Sequence, residues 1–243
     1  MLTSFQSPIH AVVVGASGGI GAALVEQLLA DQAVATVTAC ARTAQTTHHH
    51  KLQSVFLDVT DEQSITEAAA YVDQAALIIV ATGILHGPDG LAPEKNWRAL
   101  DAAKLAKLFA INTIGPALVA KHFLPRLPKH GKSVFAALSA RVASISDNHL
   151  GGWYGYRSSK AALNMMIRNL SIELAPRWRD AVCVGLHPGT VATPLSAPFQ
   201  ANIATQKLFS PQQSASALLS VIDTLTPADS GYILAWDGQR IEF

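Results

Sequence analysis

Tyr156 and Lys160 stand four residues apart in the run Tyr154-Gly-Tyr156-Arg-Ser-Ser-Lys160-Ala-Ala-Leu. If the run is helical, the two side chains share a face. A phenol ordinarily ionises near pH ~10, too high for ready proton exchange at neutral pH. An ammonium beside it favours the phenolate and pulls that value down. Such a tyrosine can give a proton to a carbonyl oxygen while hydride reaches the carbon, or do the reverse. A Tyr-x3-Lys pair arises by chance roughly 0.15 times in a chain of this make-up, so an ordinary amphipathic surface competes with that reading. A second signal lies upstream, in Gly15-Ala-Ser-Gly18-Gly19-Ile-Gly21. Glycines adopt positive φ and let backbone approach a ligand closely, and a helix opening there offers free N–H groups and a positive dipole end to a phosphate. Chance supplies this spacing roughly 0.07 times, so it is the more specific of the two. A tight turn packing helix on strand is its competing reading.

Both groups need rigid elements to hold them. Ile9–Val14 reads as a buried strand, followed by a helix over Gly19–Ala30 with Ile20, Leu24, Leu28 and Leu29 on one face. Val34–Cys40 and Val55–Leu57 read as the next strands, and Thr60 or Asp61 caps a helix through Val72. Leu77–Val80 and Val134–Leu138 are further strands, with a mostly helical stretch over 101–127 between them. A long helix over Tyr154–Arg177, a strand over Val182–Leu186, a helix over Pro211–Leu225 and a short strand over Tyr232–Ala235 complete the order. Alternating strands and helices predict an α/β fold, one doubly wound and mostly parallel sheet with helices on both faces. No repeat or long linker divides the 243 residues, so a single domain over 1–243 is expected. Ligands of such sheets bind at the carboxyl ends of the strands.

Composition narrows the function classes. With 49% hydrophobic and 14% charged residues, the chain is no disordered segment. A net charge of +1 offers no basic surplus for nucleic acid or an anionic membrane. The longest strongly apolar run, around Ala76–Leu85, is about half of the ~20 residues that cross a bilayer, and Met1–Pro8 lacks the pattern of a secretory signal. Cys40 and Cys183 lie in apolar strand-like segments and read as reduced core residues. A cytoplasmic protein is expected.

The glycine turn and the Tyr–Lys pair, in this order and about 140 residues apart, resemble the short-chain dehydrogenase/reductase family over essentially the whole chain. Gly83-Ile-Leu, Ser139-Ala-Arg, Gly151–Asn164 and His187–Pro194 are similar to its C-factor-like (cell–cell signalling) and sniffer-like carbonyl reductase branch. The resemblance implies a Rossmann-type domain and a catalytic tetrad. Tyr156 is its general acid/base, Lys160 binds the nicotinamide ribose and lowers the tyrosine pKa, and Asn112 holds a water for proton relay. The serine that polarises the substrate carbonyl is Ser139, brought into reach by a shifted loop at the rim of the sheet, or Ser144, nearer the family's usual spacing to the tyrosine, because Ala140 stands where the family has the second of two serines. Nicotinamide cofactor contacts are implied for Gly15, Ser17, Gly18, Gly19, Ile20 and Gly21, for Thr82 and Gly83 after the fourth strand, and for Pro188, Gly189, Val191 and Thr193 after the sixth. Asp58 and Val59 are implied at the adenine, helix capping being the other role open to Asp58. Val80-Ala81 replaces the paired asparagines that usually follow the fourth strand.

An acid ending the second strand binds the ribose hydroxyls of NAD, whereas arginine accommodates a 2′-phosphate. Residues 32–57 contain no acid, and Arg42 follows the strand. NADP(H) is therefore expected over NAD(H). His48-His49-His50 reads as a solvated loop, so no metal is expected. Trp153 and Tyr154 line the substrate pocket or pack a loop, and Thr193–Phe209 lies where the family has its substrate lid. The expected function is hydride transfer between NADP(H) and a small carbonyl or alcohol substrate. The alternative is a cofactor-binding signalling or sensing protein with little turnover. A homodimer or homotetramer through 101–127 and 154–177 is a further implication of the resemblance.

Overall fold

The computed structural model describes residues 2–6, 8–43, 48–200 and 208–243. In chain order the elements are β1 (Ile9–Val14), α1 (Gly19–Ala30), β2 (Val34–Ala41), β3 (Leu52–Phe56), α2 (Glu62–Ala70), β4 (Leu77–Val80), α3 (Ala102–Phe109) and α4 (Gly115–Phe123). There follow β5 (Ser133–Leu138), α5 (Tyr154–Leu174), β6 (Ala181–His187), β7 (Thr190–Val191), β8 (Leu208–Phe209), α6 (Pro211–Thr224), β9 (Ile233–Ala235) and β10 (Arg240–Ile241). Eight strands form one sheet in the order β10-β9-β6-β5-β4-β1-β2-β3. Every neighbour pair is parallel except β10 against β9. This is the doubly wound sheet expected, with one antiparallel edge that a two-residue strand does not announce in sequence.

The strand pleat divides the core in two. Ala11 and Val13 of β1 and Leu77 and Ile79 of β4 pack with Leu24 and Leu28 of α1 and Leu218 and Ile222 of α6. Their alternate neighbours Val12, Val14, Ile78 and Val80 face Ile65 of α2, Phe123 of α4 and Leu163 and Ile167 of α5. Period-two alternation of uniformly apolar residues thus means burial on both faces, not one wet face. Fully buried side chains such as Phe123 and Ile167 stabilise the fold by about 1.5–3 kcal/mol each.

Residues 102–126 do not form one regular helix. α3 passes into a π turn at Ala110–Ile114, then α4, then a 3₁₀ turn at Leu124–Arg126. On length and composition Ala102–Arg126 is apolar enough to cross a membrane; in this fold its Val119, Ala120 and Phe123 are fully buried in the sheet-facing core. α5 ends at Leu174, short of the expected Arg177, because Pro176 has no N–H to continue it. β7 and β8 pair in parallel, tying the loop after β6 to the start of α6. Of the expected lid, residues 201–207 lie outside the described residues, and Ala197–Phe199 form a 3₁₀ turn.

Candidate active site

The glycine turn follows β1 and opens α1. Gly15 has φ +88°, and a Cβ there would lie 2.9 Å from Thr82 Cγ2 and 3.0 Å from the Ala81 carbonyl carbon. A Cβ at Gly21 would collide with the Gly15 carbonyl oxygen, so the turn closes only on glycine. Gly18 caps α1 without any side-chain bond, and the first turn holds no acid. That leaves the positive end of the helix dipole without an anionic partner from the chain. Across the cleft a Cβ on Gly19 would sit 2.7 Å from Thr193 Cγ2, so the turn also touches the loop after β6.

Two hollows of about 410 and 690 Å³ share Ser17, Gly18, Ala81, Thr82, Gly83, Ile84 and His86, forming one trough over the carboxyl ends of the strands. Gly19, Ile20, Ser139, Tyr156, Lys160, Pro188 and Thr193 line one half. Gly15, Arg42, Asp58 and Val59 line the other. Gly21, Asn112, Gly189 and Val191 do not line it and stand behind: Gly189 (φ +78°) backs onto Phe209 and Trp236, and Val191 is buried. Asp58 is no helix cap, since Asp61 caps α2 by accepting from Gln63 N. The Thr60 backbone N–H that Asp58 accepts, its hydroxyl and the nearby Arg42 hold the Asp58 carboxyl below its ordinary range. At mid-trough the Thr82 hydroxyl is buried without a partner. An uncapped helix start, a glycine cradle, an orphaned hydroxyl and a cation at the far end fit a dinucleotide carrying a diphosphate.

The acid/base end is built on α5. Gly151, Gly152 and Trp153 precede it with φ of +64°, +65° and +51°, Trp153 being the one non-glycine with positive φ among the described residues. Glu94, buried, restrains this left-handed turn. Its backbone oxygen accepts from Trp153 N at 2.6 Å, and its Oε2 accepts from Gly155 N at 3.1 Å, directly before Tyr156. Burial pushes the Tyr156 phenol up to about 12 and the Lys160 ammonium down to about 8. The expected lowering of Tyr156 by Lys160 is absent, because desolvation dominates both groups and Lys160 Nζ donates to the Leu138 oxygen at 2.7 Å.

Ser139, not Ser144, lines the trough with Tyr156 and Lys160. The Ser139 hydroxyl donates to Asn164 Oδ1 at 2.6 Å, whereas Ser144 Oγ accepts from Asp147 N and fixes a turn. Asn112 comes from the π turn, where a widened helix brings it beside β4. Its Oδ1 accepts from Ile84 N at 2.8 Å, and its Nδ2 donates to the Ile84 oxygen at 3.0 Å and to Ser159 Oγ at 3.1 Å. It thereby braces the segment after β4 against α5, a task for which that segment lacks asparagines of its own. Leu85, Ala140, Val142, Trp153, Leu195 and Phe199 form an apolar wall around Tyr156. His86 Nε2 lies 3.0 Å from the Pro194 oxygen and bridges that wall. His49 and His50 stack at 4.4 Å in the loop before β3. Glu94, Asn164 and His86 are the site residues sequence reasoning did not single out; the placement of Asn164 four residues beyond Lys160 was a readable signal.

Known proteins resemble this chain in sequence and in fold. The short chain dehydrogenase family model matches residues 9–204. An uncharacterised oxidoreductase of Schizosaccharomyces pombe is 30% identical over 255 residues, covering 95% of this chain and 96% of its own. The C-signal protein of Myxococcus xanthus is 36% identical over 148 residues, 60% of this chain and 84% of its own. The NADPH-bound carbonyl reductase from chicken fatty liver superposes with a TM-score of 0.84 at 27% identity, covering 99% of this chain and 97% of that one. With its trough, its glycine turn and its Tyr–Lys helix in the family's order, the chain belongs to the short-chain dehydrogenases, a family of oxidoreductases.

Proposed function

We propose that this chain is an NADP(H)-dependent reductase that interconverts a small carbonyl compound and its alcohol. The observation that carries the reading is the continuity of the trough from Arg42 to Tyr156. Gly15 to Gly21, with Ser17, Ile20 and Thr82, would hold the diphosphate, Arg42 a 2′-phosphate, Asp58 and Val59 the adenine end, and Lys160 the nicotinamide ribose. Gly83 and Pro188 to Thr193 would flank the nicotinamide, and the NADPH-bound carbonyl reductase supports the choice of cofactor. When bound, the cofactor supplies or accepts the hydride. Tyr156, kept protonated by burial, gives its proton to the carbonyl oxygen in reduction and takes it back in oxidation. Lys160 ionises near 8, so it is largely charged at neutral pH and stabilises the phenolate left behind. Ser139 contacts the substrate oxygen, and Asn112 keeps the trough floor in register with α5.

Parallel calorimetric titrations with NADPH and NADH test this reading. Tighter NADPH binding, followed by NADPH oxidation with members of a carbonyl panel, is expected. A preference for NADH would discard the role of Arg42, and binding of neither would discard the reductase reading. Similarity to the C-signal protein and Ala140 in the second serine position favour one alternative, a signalling protein that holds cofactor with little turnover. Tight NADPH binding without turnover of any carbonyl would select it. We further place the protein in the cytoplasm, a reading supported by two free, buried cysteines. The exposed Ile114 of the π turn and Met165, Met166 and Ile172 of α5 support self-association through 101–127 and 154–177; light scattering that reports a monomer would refute it.

A further inference from the structure

Tyr156, Lys160 and Asn164 recur every four residues on α5 and form one buried stripe of that helix. The first two carry the proton chemistry proposed above, on which this inference rests; Asn164 has no part in it. The stripe is stitched to the end of β5 at consecutive residues. Lys160 donates to the Leu138 backbone, and Asn164 takes the hydrogen of the Ser139 hydroxyl at 2.6 Å. Ser139 and Asn164 are each 4% exposed, so the bond is shielded from water and stronger for it. Ser139 is followed by Ala140, so no neighbouring hydroxyl can replace it on this wall. A serine hydroxyl has one hydrogen on a free rotor, and a partner must choose its direction.

We propose that Asn164 is a positioning residue for the reaction: it fixes the rotamer of Ser139 and holds Oγ at the trough wall until a substrate oxygen takes the hydrogen in its place. The serine then exchanges one acceptor for another instead of searching among rotamers. Preorganisation of this kind acts on turnover and leaves cofactor binding alone.

Steady-state NADPH oxidation with one carbonyl substrate is measured for wild type, Ser139→Ala, Asn164→Leu, Asn164→Asp and the Ser139→Ala/Asn164→Leu double variant. NADPH affinity and thermal midpoint are followed in parallel. Asn164→Leu keeps the volume and loses the acceptor; Asn164→Asp keeps an acceptor oxygen at the same reach. Expected is a fall in kcat/KM of about tenfold for Asn164→Leu, a double variant no worse than Ser139→Ala alone, and rescue to within about threefold by Asn164→Asp. NADPH affinity stays within about twofold throughout, which a general loosening of the fold would not give. Wild-type kcat/KM in Asn164→Leu beside a crippled Ser139→Ala overturns the pairing alone, as does a multiplicative double variant. A wild-type protein without carbonyl turnover overturns the reductase reading and this inference with it.

Discussion

Tyr156 holds its proton to about pH 12 because burial disfavours the phenolate. Replacing it with phenylalanine keeps the ring in the apolar wall and removes the proton, so turnover falls by about 10²–10⁴-fold, while NADPH affinity by calorimetry stays within a few fold. Arg42 makes a different prediction, because it stands at the far end of the trough. Arg42→Ala loses a charge-assisted contact, so NADPH binding weakens by about tenfold or more while NADH binding changes little. Both residues were legible in the sequence, one from its spacing to a lysine and the other from a strand end without acids. The burial that reverses the expected shift of Tyr156 was not legible, since a tyrosine four residues before a lysine looks alike on a wet or a dry face.

At the scale of elements, the period-two apolar runs announced the strands, and helix periodicity announced what lies between them. What escaped were features that local pattern does not encode. The π turn adds one residue to a helix turn, which no residue type announces, and Glu94 sits in a loop segment, Ala92-Pro93-Glu94-Lys95, with nothing local to mark it as buried. In the fold Glu94 restrains the left-handed turn that starts α5. Glu94→Ala leaves the Gly155 N–H buried without its acceptor, at a cost of about 1–3 kcal/mol. Urea unfolding should show that loss, with Glu94→Gln losing less because it keeps an acceptor oxygen. Turnover should follow the same order, since the restrained residue adjoins Tyr156.

The whole molecule has a pH profile of stability that follows from its buried groups. His187 ends β6 with Nδ1 buried and unpartnered; burial, then Arg141, lowers it to about 4 against a partial offset from Asp237. Between pH 6.5 and about 4 the unfolded chain binds the proton that the folded chain refuses, so stability falls as pH falls through that window. The loss reaches about 3 kcal/mol. Lys160 is lowered from 10.5 to about 8, so the folded state carries a penalty below 8 that lifts as pH rises above it. Cys40 and Cys183, raised by burial from 9 to about 12, reverse the trend above pH 9 as the unfolded thiols ionise first. Thermal midpoints measured across pH should climb from 4 to 6.5, climb again above 8 and fall beyond about 9. In His187→Asn the acid ramp should flatten.

The sheet order carries one more consequence. β3, β2, β1 and β4 all come from the chain before residue 81, and β5, β6, β9 and β10 all come after residue 132, so the sheet meets itself at a single β4–β5 seam. The trough crosses that seam. Its earlier half brings the glycine turn, Arg42 and Asp58; its later half brings Ser139, Tyr156, Lys160 and most of the apolar wall. A genetic crossover in the turn between α4 and β5 would therefore exchange one relative's proton chemistry for another's while leaving the phosphate cradle intact. Inheritance can shuffle this protein as two cassettes where the β4–β5 seam, the packing of α1 on α6, and the bonds of Glu94 and Asn112 to α5 are matched together.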